Sequence, residues 1–248
     1  MNNTKKKSPI SWVPTAYFAM GLPFVVLNMV TVLMFKGLEV DDKLITFWTS
    51  LILLPWTLKP LWSPFLELFR TKKFFVIVTQ LITGITFGLV AFALNLSHFF
   101  SISIALLAIV AFSGATHDIA CDGVYMSELS NEDQARFIGW QGAFYNIAKI
   151  LATGGLVYLA GYFIELNADA GLLTANKRAW MIILLILSVT MILLGIYHLF
   201  ALPSTQSASS RKTLRSNKEV MKELGQVLMD FFRKTHITYY ICFIILYR

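Results

Sequence analysis

Six long apolar runs constrain this chain more than any other feature. They cover roughly residues 11–35, 45–66, 74–96, 99–126, 137–163 and 179–202 of 248. The hydrocarbon core of a bilayer takes a helix of about 20 apolar residues. None of the runs alternates with polar positions as the core elements of a water-soluble domain do. The expected fold class is therefore an all-α integral membrane protein. The composition agrees: charged residues make up 14% of the chain and its mean hydropathy is +0.65. A soluble domain carries about 25% charged residues. A soluble enzyme, a disordered regulator and a disulfide-stapled secreted domain are all disfavoured. Cys121 and Cys242 are the only cysteines, and both lie in apolar segments.

The net charge of +7 does not point to nucleic acid, because the basic residues gather in the gaps between apolar runs. That pattern sets membrane orientation. With the N-terminus in the cytoplasm, the inside segments carry Lys5, Lys6, Lys7, Arg70, Lys72, Lys73, Arg136 and seven more basic residues between 203 and 235. The outside segments carry only Lys36, Lys43, Lys177 and Arg178. A signal peptide has an apolar region of about 7–15 residues; the first run here extends from Ile10 to Phe35 and reads as a retained helix. Three regions follow: a six-helix transmembrane bundle over 1–202, a cytoplasmic linker over 203–235, and a truncated start of a seventh helix over 236–248. In the linker Val220, Leu224, Val227, Leu228 and Phe231 recur at helical spacing, flanked by Lys218, Lys222 and Lys234. This reads either as an amphipathic helix on the membrane surface or as one packed on cytoplasmic loops.

Four charges lie inside the runs: Lys59, Asp118, Asp122 and Lys149. Each costs about 2.5–3.5 kcal/mol at a helix centre. Such groups face a water-filled cavity or a partner. Asp118 and Asp122 are four residues apart and share one helix face, which Tyr125 extends. Two carboxylates so placed repel each other, a setting in which one can hold a proton through a transport cycle. Lys149 has Tyr145 one turn before it, Gln141 a further turn back and Asn146 alongside; it suits an anionic solute or Asp118. For all these charges a purely structural ion pair is the alternative. Lys59 sits between Pro55 and Pro60, and Gly21-Leu22-Pro23 followed by Asn28 makes a similar weak point in the first run. Proline in a membrane helix frees backbone groups that a cavity or a neighbour must satisfy. Gly84 and Gly88 form a GxxxG that permits close helix packing. His117 and Cys121 share a helix face but have no further ligands at metal-site spacing, so no metal is expected. His98 and His198 lie near run ends and read as interfacial. No cofactor is expected.

The run Ala115-Thr116-His117-Asp118-Ile119-Ala120-Cys121-Asp122-Gly123 resembles the fourth-helix signature of the AmpG-type muropeptide permeases, a branch of the major facilitator superfamily. The acetyl-coenzyme A transporters carry a similar Asp-Ile-x-x-Asp-Gly pattern. Leu58-Lys59-Pro60-Leu61-Trp62-Ser63-Pro64 with Glu67 is a second match, Gly21-Leu22-Pro23 a third, and Gly154-Gly155-Leu156 a weaker fourth. The resemblance implies the N-terminal six-helix half of a major facilitator fold plus the start of helix seven, with a central cavity between two halves. It implies Asp118 and Asp122 as the acidic, proton-coupling pair and Lys59 as the second-helix cation. It also implies Glu67, Arg70, Lys72 and Lys73 as a cytoplasmic gating loop between helices two and three. The sequence departs from the family in having Asn146 where an Arg is common, Tyr125 near a usual basic position, and no glycine around Ser63.

The expected function is that of a secondary active transporter, a proton symporter moving a polar or anionic solute such as a muropeptide-like compound. The expected partners are the lipid bilayer, that solute, protons and a missing C-terminal six-helix half. The expected location is a bacterial inner membrane. The substrate-cavity candidates are Asn28, Lys59, Tyr125, Gln141, Tyr145, Asn146 and Lys149. No ATP-binding loop is present, and neither is a H-E-x-x-H or G-x-S-x-G motif, so enzymatic activity is not expected. The alternatives are a non-transporting truncated remnant and, further off, a membrane prenyltransferase-like enzyme built on Asp118-x-x-x-Asp122.

Overall fold

The computed structural model describes residues 7–63, 66, 71–203, 225–226, 229–230, 233–237, 239–240 and 243. Six helices among these residues are long and apolar enough to cross a membrane. They are α1 (Pro9–Gly37), α2 (Asp42–Leu61), α3 (Lys72–Ala93), α4 (Phe99–Glu128), α5 (Asn131–Leu166) and α6 (Leu172–Ala201). The described residues are thus all-helical, and their six spanning-length helices are those of an integral membrane protein. The linker helix and most of the seventh segment fall outside the described residues.

Three helix starts have side-chain caps. Asp41 accepts from the backbone N–H of Lys43 and Leu44 at the head of α2. Thr71 accepts from Phe74 N–H at the head of α3, and Ser130 from Asp133 N–H at the head of α5. Each cap satisfies N–H groups that have no intrahelical partner. The Ser130 cap starts α5 ahead of its apolar run, so Arg136 lies inside the helix. α6 also starts ahead of its run, without a side-chain cap, and takes in Lys177 and Arg178, which the apolar pattern had put in a loop. A helix needs only its backbone bonds to continue past the hydrocarbon.

Two helices carry wide turns. In α1, Pro23 lies inside the helix and a π-type turn follows over Val26–Val30. In α5 a second π-type turn spans Leu151–Leu156 and packs against the first. Between them Gly21 lets the helices close up: a Cβ there would stand 3.0 Å from both Ala148 Cβ and Tyr145 O. In α2, Pro55 and Pro60 divide the helix, which ends in a 3₁₀ turn over Lys59–Leu61.

α1 packs on α5, α4 on α2, and α3 on both α4 and α6. Gly84 allows the α3–α6 approach, since a Cβ there would lie 2.9 Å from Ser188 O. The main core runs through α1, α3, α4 and α6, with Phe35, Phe87, Leu107 and Ile183 at most 0% exposed. Burial is uneven. Of the apolar windows, 67% of α1 is buried, but only 17% of α2 and 17% of α5. Each of these two helices therefore leaves most of its length unpacked by this bundle.

Candidate functional site: a charged seam along the fourth helix

α4 is 30 residues long, about 45 Å at 1.5 Å per residue. Asp118 sits ten residues from its C-terminal end, within the depth that a bilayer core of about 30 Å covers. Its side chain is 11% exposed. It meets Lys59 of α2, whose Nζ lies 2.6 Å from Oδ2. The indole Nε1 of Trp56 donates to the same oxygen at 2.9 Å. The proline-broken end of α2 is what brings both groups to α4. Gly114, one turn before Asp118, makes room for the indole: a Cβ there would meet Trp56 Cζ2 at 2.9 Å. The other carboxylate oxygen, Oδ1, is buried and has no hydrogen-bond partner among the described residues.

Asp122 lies one turn further along the same face and is more open. The hydroxyl of Tyr17 in α1 donates to Asp122 Oδ1 at 2.8 Å. Gln141 Nε2 of α5 donates in turn to that hydroxyl at 2.9 Å. Tyr125 is buried edge-on against Tyr17 and Trp12, and its hydroxyl donates to the backbone carbonyl of Gln134. The two carboxylates thus collect partners from α1, α2 and α5. Asp118 has a cation; Asp122 has neutral donors.

Not every candidate joins this seam. Lys149 is exposed and makes no ion pair among the described residues. The sequence offered it to Asp118, but Lys59 occupies that role, since the close α1–α5 contact at Gly21 uses Ala148 and turns the neighbouring Lys149 outward. Asn146 is exposed and donates to Gly142 O within its own helix. Asn28 is exposed in the π-type turn of α1. Tyr145 is half-buried against Gly21. Glu67 and Arg70 lie outside the described residues. Lys73 donates to Leu202 O at 2.8 Å, and Lys7 to Phe200 O at 2.7 Å. Both cations therefore sit on the C-terminal end of α6, where unpaired carbonyls and the helix dipole favour them. Lys72 lies along α4 at Gly123, where a Cβ would come within 2.7 Å of its Cδ.

Three positioning groups escaped the sequence reading: Tyr17, Trp56 and Gly114. Trp56 lies three residues before Lys59, on the same helix face, and Gly114 four residues before Asp118. That spacing was the available signal. His198 also differs from expectation. It is fully buried between helices, because α6 continues to Ala201 and its last turn packs on α1 and α3.

Comparison of the chain with family models, with curated proteins and with solved structures gave no match.

Proposed function

We propose that the chain is a six-helix bundle of a secondary active transporter of the major facilitator type, coupled to protons and carrying a polar or anionic solute of the muropeptide class. The observation that carries this reading is the pair of carboxylates on α4. Both lie in a helix long and apolar enough to cross a membrane, and each is held by a different helix or helices. Ionisable groups are costly there and occur where they serve a solute or proton path. An ion pair between α2 and α4 is a contact that a proton on Asp118 would weaken. A Tyr–Gln pair between α1 and α5 does the same for Asp122 without a compensating charge. The crosswise packing of α1 on α5 and α4 on α2 also suits two three-helix repeats, the internal symmetry of this transporter class.

The open faces of α2 and α5 are the surfaces that a second six-helix bundle would cover, closing the seam into a central cavity. In this proposal the N-terminus and the 203–235 segment are cytoplasmic, in a bacterial inner membrane. Lys72 and Lys73, which the structure has in the first turn of α3 and not in the loop before it, would act with Glu67 and Arg70 as the gate on that side.

The test is reconstitution into liposomes with an imposed proton gradient and a panel of anionic and peptidoglycan-derived solutes. The 248 residues alone are expected to bind solute at the seam, and Asp118→Asn to abolish the proton release or uptake that accompanies binding. Binding with the same proton stoichiometry in Asp118→Asn removes the coupling role. Saturable, gradient-driven uptake by this chain without a second polypeptide would show that one bundle, or a pair of copies, suffices.

A further inference from the structure

A second polar system lies inside the bundle, apart from the carboxylate seam. His117 of α4, Gln80 of α3, His198 of α6 and Thr15 of α1 form one chain of contacts. Gln80 Nε2 lies 2.9 Å from His117 Nε2. His198 Nδ1 lies 2.9 Å from Gln80 Oε1. Thr15 Oγ1 lies 2.9 Å from His198 Nε2 and 3.2 Å from the carbonyl of Trp12. His117 is 3% exposed, and Gln80 and His198 are 0% exposed.

Amide chemistry sets the two polarities that this chain of contacts can take. An amide oxygen only accepts and an amide nitrogen only donates. Gln80 Oε1 therefore takes the Nδ1–H of His198, and Gln80 Nε2 donates to an unprotonated Nε2 of His117. Neutral His117 then carries its proton on Nδ1, a buried atom with no hydrogen-bond partner among the described residues. Neutral His198 accepts at Nε2 from the Thr15 hydroxyl. This is one polarity of the chain. The opposite polarity uses the same atoms. A proton added at His117 Nε2 requires an acceptor, which Gln80 supplies by a half-turn of its amide. Gln80 Nε2 then donates to His198 Nδ1, so the His198 proton must move from Nδ1 to Nε2. There it donates to Thr15 Oγ1, whose own proton turns to Trp12 O. Exactly one proton is gained, on His117; His198 changes tautomer and stays neutral. The three contacts from His117 to Thr15 survive with donor and acceptor exchanged, and Thr15 donates to Trp12 O only in the second polarity.

We infer that the Thr15–His198–Gln80–His117 chain is a reversible proton-binding site, distinct from Asp118 and Asp122, in which proton uptake by His117 is coupled to a tautomer change at His198. The ionisable groups around His117 are His198 from α6 and Lys59 from α2, with Asp118 next to it in sequence and Cys121 one turn on along α4. α3 and α1 face it with Gln80 and Thr15, which do not ionise. His198 has the Tyr197 ring beside it on its own helix. The cations Lys7 and Lys73 sit on carbonyls two and four residues further along. The site joins four helices, so a proton held there reverses hydrogen bonds that link the α3–α6 pair to α4 and α1, two of the helices of the seam.

The test is nitrogen NMR of the full chain in detergent or lipid with ¹⁵N-labelled histidine imidazoles, followed against pH. The chain has four histidines; His117→Asn and His198→Asn assign the two signals, with His98 and His236 as exposed references. The expected result is that both buried rings start as Nδ1–H tautomers. As pH falls, His117 becomes imidazolium and His198 switches to Nε2–H at the same midpoint without becoming charged. Gln80→Glu is near-isosteric and accepts from both rings, so it should leave His198 as Nδ1–H while His117 charges. His117 remaining neutral down to the pH of unfolding would overturn the inference. So would a His198 that keeps Nδ1–H in the parent chain while His117 titrates, or one that still switches in Gln80→Glu.

Discussion

The Lys59–Asp118 contact should prove to be a coupled pair rather than a surface ion pair. Lys59→Met removes the ammonium and keeps the stem. Asp118 is then left with the Trp56 indole on Oδ2 and no partner on Oδ1. Breaking a buried pair by removing one partner costs about 3–5 kcal/mol. The Lys59 side chain is 27% exposed and the Asp118 side chain 11%. That opening lets some water reach the pair, which puts the cost at the low end, about 3 kcal/mol, or roughly 150-fold in the folding equilibrium. Asp118→Asn keeps an acceptor for the indole and leaves a cation that is already partly exposed. It should cost about 1–2 kcal/mol. The double variant has no charge to strand, so its cost should fall well below the sum of the singles, with a coupling of about 2–3 kcal/mol. Reversible unfolding in mixed micelles, run as a double-mutant cycle, measures this. A coupling under about 0.5 kcal/mol, the range of an exposed pair, would refute the buried pairing and the argument for a proton-sensitive α2–α4 contact.

Tyr17→Phe removes the hydroxyl shared by Asp122 and Gln141 and should cost about 1–2 kcal/mol in the same unfolding assay, with Gln141→Leu adding little further in that background. Gly21→Val drives a side chain into Ala148 and the Tyr145 carbonyl and should destabilise by about 1–3 kcal/mol, whereas Gly142→Ala on the open face of α5 should be neutral or stabilising by up to about 1 kcal/mol. Gly114→Leu should push Trp56 off Asp118, seen as a changed indole fluorescence and a smaller Lys59–Asp118 coupling. Cysteine labelling in intact cells should reach residue 95 or 169 from outside and not residue 130; labelling of position 130 from outside would reverse the proposed orientation.

The spans were legible because crossing a bilayer leaves a helix little choice: its whole length must be apolar, and six such lengths stand out. Their ends were not, because Ser130 and Thr71 extend α5 and α3 past the hydrocarbon by capping, which apolar runs do not record. Asp118 and Asp122 were legible as a pair on one face from spacing alone. The identity of the cation was not. Lys59 and Lys149 are equally anomalous in the sequence, and what separates them is three-dimensional: Gly21 brings Ala148 against α1, while Pro55 and Pro60 bend Lys59 toward α4. His198 was misread for a related reason. A helix end implies an interface only if nothing packs over it, and α6 stays packed to its last turn.

The same small residues explain why one helix can serve two polar systems without mixing them. His117 and Asp118 are neighbours on α4, but successive residues of a helix point about 100° apart. His117 therefore turns toward α3 and α6, where Gly84 and Gly195 let those helices come together around Gln80 and His198. Asp118 turns toward α2, where Gly114 admits the Trp56 ring. A bulky residue at any of these glycines would force one helix away and leave a buried polar group without its partner, which costs about 1–3 kcal/mol. The seam changes when a charge pair opens between α2 and α4. The histidine chain changes when hydrogen bonds reverse between α3, α6 and the two helices flanking them. On the two proposals above, both changes would begin on α4, and a proton taken by either system would alter the footing of the other through the backbone they share.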